Sequence, residues 1–314
     1  MTSRSILEKL DDWLFLPQSP APVALFRICY GAIAFTCFAW VYPNLLDLYG
    51  PQGYPSLPVE RQILGSATSS LFFYLPASNE TTYILWGLLL LSALFVTIGF
   101  FTRTSSILLY VMLISFQQRN WLLTSANDEI LSIMGFLVIF SSAGACLSLD
   151  SWLKGARSWQ TQWQIKTAPW AQRLLQIQWA LVYFQSVLFK LFGSTWWDGT
   201  AVYYAISLEE YKRFSLPFLF QYLWQIKLTT WSTLVVETLL FTAIFIKRYR
   251  YWVMAMGILL HLGLEVMMNI PFLELLSIAC FLTFVEGDDL QKLTQRLQSL
   301  KPMSNKRIET LSGS

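Results

Sequence analysis

The chain has 314 residues, of which 55% are hydrophobic and only 13% charged. Soluble domains carry about 25% charged residues, so this composition excludes a water-soluble fold and makes the lipid bilayer the first partner. A formal charge of +3 is too small to imply a nucleic-acid partner.

In chain order, residues 1–21 read as a cytoplasmic lead-in. Glu8, Asp11 and Asp12 make it too acidic for a cleavable signal, and it ends in prolines 17 and 20. Residues 22–286 read as one transmembrane domain. A spanning helix needs about 20 apolar residues. Eight segments approach that, at roughly 22–42, 81–101, 104–122, 128–147, 172–193, 228–246, 251–269 and 271–286. The expected fold class is an all-α polytopic membrane bundle. Residues 63–76 are apolar but broken by Gly65 and Pro76, and read as a re-entrant or interfacial helix. Residues 287–314 read as a cytoplasmic tail, a helix that frays.

Eight spans put both termini on one side. Fifteen of the 22 Lys and Arg residues fall on that side and five on the other. The positive-inside rule then places both termini in the cytoplasm of a bacterial inner membrane. The segments 43–80 and 194–227 become extracytoplasmic caps, and 148–171 an inner connector.

The four cysteines are scattered and form no C-x-x-C pair, so neither a disulfide framework nor a zinc site is expected. The single histidine excludes a His-based metal cluster, and no metal is expected. There is no G-x-S-x-G, no phosphate-binding loop and no dinucleotide fingerprint. Ser186 and Ser194 near Lys190 lack any motif that would make a Ser–Lys dyad.

Function is therefore sought in polar residues inside apolar segments, which are costly there. Lys190 closes the apolar run Leu181–Leu191 and precedes Trp196, Trp197 and Asp198. His261, Glu265 and Asn269 follow the i, i+4, i+8 spacing of one helix face. Asn127 and Asp128 open the fourth segment. All fall in the outer half of the bundle. Each also has a plain structural reading. Lys190 can snorkel to the headgroups, His261 can be a satisfied core residue, Glu265 and Asn269 can cap a turn, and Asp128 can N-cap its helix. Arg27 reads as structural, paired with Glu237 or an inner carbonyl.

Taken in order, these segments resemble the HTTM (horizontally transferred transmembrane) family, bacterial relatives of the membrane portion of vitamin K-dependent γ-carboxylase. The resemblance covers about 20–290. It is best at Tyr183-Phe184, Lys190-Leu191, Trp196, Asp198 and Gly199, followed by Thr200-Ala201. Ala24–Ile28 with Arg27, Ser148-Leu149-Asp150 and His261 are weaker matches in the same order. The resemblance implies that Lys190 acts as a base toward a reduced, vitamin K-like quinone, as in carboxylation of glutamate. Asp198 and Trp196 would position it or line its pocket, and His261 would hydrogen-bond the substrate or Lys190. Asn127, Asp128, Glu265 and Asn269 would complete that pocket. Two features depart from the carboxylases. Asn127 and Asp128 stand where they place a catalytic histidine, and no large extracytoplasmic domain follows the eighth segment. The expectation is a quinone- or lipid-linked lysine-base enzyme at the outer leaflet. The alternative is a non-catalytic accessory for maturation or export of a secreted peptide. A transporter is disfavoured because no inverted repeat is visible.

Overall fold

The computed structural model describes residues 5–64, 70–214 and 220–299. Among them no strand forms. Two isolated antiparallel bridges, Gln18 with Thr167 and Lys212 with Met268, are the extended pairings. Each of the eight expected segments contains a helix. These helices are α2 (Ala21–Trp40), α5 (Asn79–Ile98), α6 (Thr102–Arg119), α7 (Ala126–Phe140), α10 (Trp170–Leu191), α13 (Leu223–Phe241), α14 (Arg250–Met267) and α15 (Leu273–Cys280). Between them lie α1 (Ile6–Phe15), α3 (Leu45–Tyr49), α4 (Leu57–Leu64), α8 (Leu149–Leu153), α9 (Trp159–Gln164), α11 (Ser194–Asp198) and α12 (Ala201–Ser207). A last helix, α16 (Gly287–Ser299), follows α15 and its 3-10 extension Phe281–Phe284.

Three of these helices, α2, α5 and α10, are long and apolar enough to cross a membrane. Neighbouring helices pack in the order α2, α5, α6, α7, α10, α13, α14, α15, and α15 returns to α2. Helix α2 also touches α7 across this ring. Its Phe26, Tyr30 and Ala34 are buried, and the Tyr30 hydroxyl donates to the Leu131 carbonyl of α7 at 2.8 Å. The outward faces carry exposed apolar side chains such as Ile84, Leu88, Leu91, Leu181 and Leu259. That is the inside-out pattern of a bundle whose solvent is lipid.

Local signals set the helix ends. Ser78 caps α5, and its hydroxyl accepts from the Thr81 N–H at 3.2 Å. The helix stops at Gly99, which is left-handed at φ 71°. A Cβ there would fall 1.7 Å from Arg27 Nη1, so glycine is needed both for conformation and for close approach. Asp150, just inside α8, caps the next helix. It accepts from the Phe101 and Thr102 N–H groups, both at 2.8 Å, and from the Thr102 hydroxyl at 2.7 Å. Burial alone would push the Asp150 carboxyl up, but these donors outweigh it and hold it below the usual carboxylate range.

The helix ends depart from the expected segments by up to seven residues: α13 runs Leu223–Phe241 against 228–246, α15 is α-helical only to Cys280 against 271–286, and two further departures have a visible local cause. The fourth segment is helical only to Phe140. Ser141–Leu147 then turns, with Gly144 packed against Thr102 and Leu147 at φ 49°. Its run of small residues offers little side chain to stabilise another helical turn. The seventh ends at Met267, because Met268 pairs with Lys212 in extended backbone. The expected re-entrant helix at 63–76 falls partly outside the described residues. What is described is the end of α4 and a 3-10 turn at Leu71–Phe73. The tail is helical to Ser299, and the rest of it lies outside the described residues.

Candidate functional site

Helix α10 carries a polar stripe along its buried side. Gln172 and Gln176 both donate to the Thr283 carbonyl, at 2.7 and 2.6 Å. Tyr183, Ser186 and Lys190 continue the stripe at i, i+3 and i+7, so they share one face. Two polar centres form along it. The Tyr183 and Lys190 positions are about 10 Å apart along the axis at 1.5 Å per residue.

The first centre is Lys190. Its ammonium pairs with the Glu237 carboxylate of α13 and donates to the Ser186 hydroxyl at 2.9 Å. Ser186 in turn donates to the other Glu237 oxygen at 3.2 Å. Nζ also lies 5.0 Å from the centroid of the Trp196 ring on α11, a cation–π contact. The position in the last turn of α10 adds the favourable end of the helix dipole. The Lys190 side chain remains 19% exposed and that of Glu237 9%. The pair is thus largely sheltered, with the lysine the more exposed of the two.

The second centre is His261 of α14, buried between two partners. Nδ1 bonds to Glu274 of α15 and Nε2 to the Tyr183 hydroxyl at 2.6 Å. With a neutral ring beside an ionised carboxylate, which only accepts, the ring proton is on Nδ1 and Nε2 accepts from Tyr183. Tyr183 and Phe281 pack against the ring, and Trp179 packs behind both of them. Both ring nitrogens are occupied, so His261 does not hydrogen-bond Lys190.

The other expected residues lie apart from these centres. Asp198 is exposed and turns to Thr200, whose N–H and hydroxyl donate to it at 3.0 and 2.5 Å. The carboxylate on Lys190 is therefore Glu237, not Asp198. Trp197 donates to the Leu191 carbonyl at 2.8 Å and closes the end of α10. Asp128 forms a capping box with Ser125 at the start of α7. Asn127 is buried beside Cys37, and its amide oxygen has no hydrogen-bond partner. Glu265 pairs with Arg213 at 2.5 Å. Asn269 is beyond the end of α14, exposed, and donates its N–H to the Tyr211 carbonyl at 2.5 Å. The shared face of His261, Glu265 and Asn269 is thereby corrected, since the helix stops two residues short of Asn269. Arg27 is buried and donates to the Leu147 carbonyl at 2.6 Å, one of its two expected partners. The other, Glu237, belongs to Lys190.

Four participants are not assigned to these centres from the sequence: Glu237, set there against Arg27, and Tyr183, Glu274 and Ser186. Tyr183 sits seven residues before Lys190, a helical repeat. Glu274 is an acid within the apolar run Pro271–Leu276, which alone marks it as unusual. Ser186 is four residues before Lys190, the nearest same-face position. Among the described residues no group of three or more His, Cys, Asp or Glu could hold a metal ion.

A family model described as HTTM domain matches residues 61–288, which includes both polar centres. No curated protein and no solved structure matches the chain.

Proposed function

The chain belongs to the HTTM domain family, and from that premise we propose a membrane-embedded enzyme of γ-carboxylase-like type. Lys190 is its base, acting on a reduced quinone or another apolar, lipid-borne substrate at the outer leaflet. The observation that carries this reading is the closed chain Lys190, Ser186 and Glu237. An amine can take a substrate proton only after giving up its own, and here the acceptor is in place. Moving one proton from Nζ to Glu237 gives a neutral amine beside a neutral acid. Such a pair needs no water in a site where isolated charge is costly.

The residues present fit a planar group with a polar edge. An indole face, an amine and a hydroxyl meet at Lys190, while neighbouring Phe189 and Phe192 are open to lipid. A bound reduced quinone supplies an acidic hydroxyl and reducing electrons. Lys190 and Ser186 would hold that hydroxyl, Trp196 would cover the ring, and Glu237 would store the proton. The Glu274–His261–Tyr183 chain fixes the middle of α10 and keeps the Lys190 face turned inward. Purified wild-type protein should retain quinone or a similar apolar molecule, identified by mass spectrometry of the extract, and Lys190→Met should retain several-fold less. Equal retention by the two proteins counts against the pocket.

The same reading sets the chain in the bacterial cell membrane in eight spans, α2, α5, α6, α7, α10, α13, α14 and α15, with both termini cytoplasmic. Lys9, Lys166, Arg173, Lys247 and Arg250 gather at one end of the bundle, which supports that orientation. Single cysteines at Ser56 and Ser207 should react with an impermeant thiol reagent on intact cells, and one at Ser158 should not. Labelling at Ser158 overturns the orientation.

A second reading is a non-catalytic accessory for maturation or export of a secreted peptide. Its support is that Lys190 is already neutralised by Glu237, as a purely structural lysine would be.

A further inference from the structure

A cavity of about 470 Å³ opens at the basic end of the bundle, between α1, the start of α10, the start of α14 and the turn into α16. Its size is that of a small-molecule site. Lys9, Lys166, Arg173, Lys247 and Arg250 line it, against Asp12, Glu286 and Asp288. Five cations to three acids leave an excess of two positive charges in one concave space.

The pairing within it is uneven. Lys247 and Arg250 share the Glu286 carboxylate, at 3.4 and 2.8 Å. Lys166 reaches the exposed Asp288 at 3.7 Å. Arg173 is buried, yet its hydrogen bonds go to neutral acceptors: the Trp13 carbonyl at 3.3 Å, Gln176 at 3.0 Å and Gln18 at 2.8 Å. Its guanidinium also lies 5.3 Å from the Trp13 ring centroid. Among the described residues no carboxylate bonds to it, so the buried cation facing the cavity lacks a hydrogen-bonded counter-ion.

The covering helix says at what depth this space lies. In α1, Lys9, Asp12 and Trp13 face the cavity, as does Leu16 just past its end. Ile6, Leu7 and Leu10 lie on the other side, exposed, and none of the helix is buried. A short helix with one polar and one bare apolar face lies in the plane of the interface. The Gln18–Thr167 bridge, with both hydrogen bonds at 2.9 Å, ties its end to the strand-like segment before α10. The apolar floor is Phe245 and Phe284. A basic space at headgroup level, with an apolar floor, suits a phosphate better than a carboxylate metabolite, because phosphate is the anion fixed at that depth.

We propose that this cavity binds a phosphate-bearing anion, supplied by an inner-leaflet phospholipid headgroup or by free phosphate. The test uses the full-length protein, delipidated in neutral detergent, with phosphatidylglycerol, phosphatidylcholine and inorganic phosphate as separate probes. Binding is read by native mass spectrometry and by the shift in melting temperature. Phosphatidylglycerol is expected to bind at least about tenfold tighter than phosphatidylcholine. Lys9→Gln with Lys166→Gln should weaken it about fivefold per lysine removed, with the ligand-free melting temperature unchanged. Arg173→Gln should abolish it, but that variant also loses three structural hydrogen bonds, so the lysine pair decides. A shift with inorganic phosphate identifies the free anion as the source. A shift with phosphatidylglycerol alone identifies the lipid. No preference over phosphatidylcholine and no response to phosphate, or undiminished binding in the lysine pair, overturns the proposal.

Discussion

Replacing Arg119 by methionine is expected to destabilise the protein by about 3–5 kcal/mol, the cost of leaving a buried partner uncompensated. Arg119 ends α6 and is fully buried against Glu60 of α4, at 2.7 Å. Its remaining donors reach the carbonyls of Tyr49, Gly50 and Pro55 at 3.1, 2.5 and 3.1 Å. Asn120 adds bonds to the Leu48 and Tyr54 carbonyls, both at 2.8 Å. Two adjacent side chains thus pin residues 45–60 onto the end of the bundle, over the rings of Phe38, Tyr49, Phe72 and Phe116. The loss should depend on pH. Burial pushes the Glu60 carboxyl up to about 7, against the pull of Arg119, and removing Arg119 removes that pull. A group whose folded value is raised binds its proton more tightly folded than unfolded. Its stabilising share is present below the unfolded value of about 4.3 and is lost as pH rises through the folded one. The variant should therefore be closest to wild type near pH 5 and worst near pH 8, as read by thermal unfolding in detergent. Glu60→Leu in the same chain should recover part of the loss. A variant equally destabilised at both pH values would show that the three carbonyl bonds, not Glu60, set the cost.

The second large effect concerns Lys190. If it is a base, Lys190→Met should lower turnover of a reduced quinone by about 10²–10⁴-fold, the usual contribution of one acid–base group. Glu237→Gln should fall in the same range, because the amine then has no carboxylate to take its proton. Ser186→Ala removes the hydroxyl that bridges Lys190 and Glu237 but leaves their direct contact, so its loss should be smaller, about fivefold for about 1 kcal/mol. This ranking, with Met and Gln together and Ala well above them, is what a proton chain of three members gives.

Much of the bundle could be read from the sequence, because a helix in lipid must be apolar over its length, and that property is local. Each of the eight apolar segments contains a helix. The ends were harder. The run from Ser141 to Leu147 is apolar and small, so hydropathy alone carries the helix on where the chain in fact turns. The stop before Asn269 had a local signal in Pro271, since residues ahead of proline leave the helical region. Lys190 and His261 stand out as polar residues in apolar text, but their partners do not. Glu237 is 47 residues from Lys190, and Tyr183 is 78 from His261. Which helix faces which is fixed by packing around α2, and no periodicity within one helix records it. Arg27 illustrates the ambiguity, since Glu237 suited it equally well on depth alone.

The central claim is that Lys190 gives and takes a proton and is not merely a fixed charge. Arginine is the substitution that separates the two, because guanidinium keeps the charge and the pairing with Glu237 but cannot act as a base near neutral pH. The direct measurement is the rate of reduced-quinone consumption by purified wild type, Lys190→Arg and Lys190→Met, with folding of each checked by thermal unfolding. The expected result is that the arginine protein folds like wild type and is as inactive as the methionine one. An arginine protein with wild-type turnover would contradict the claim and leave Lys190 as the structural partner of Glu237.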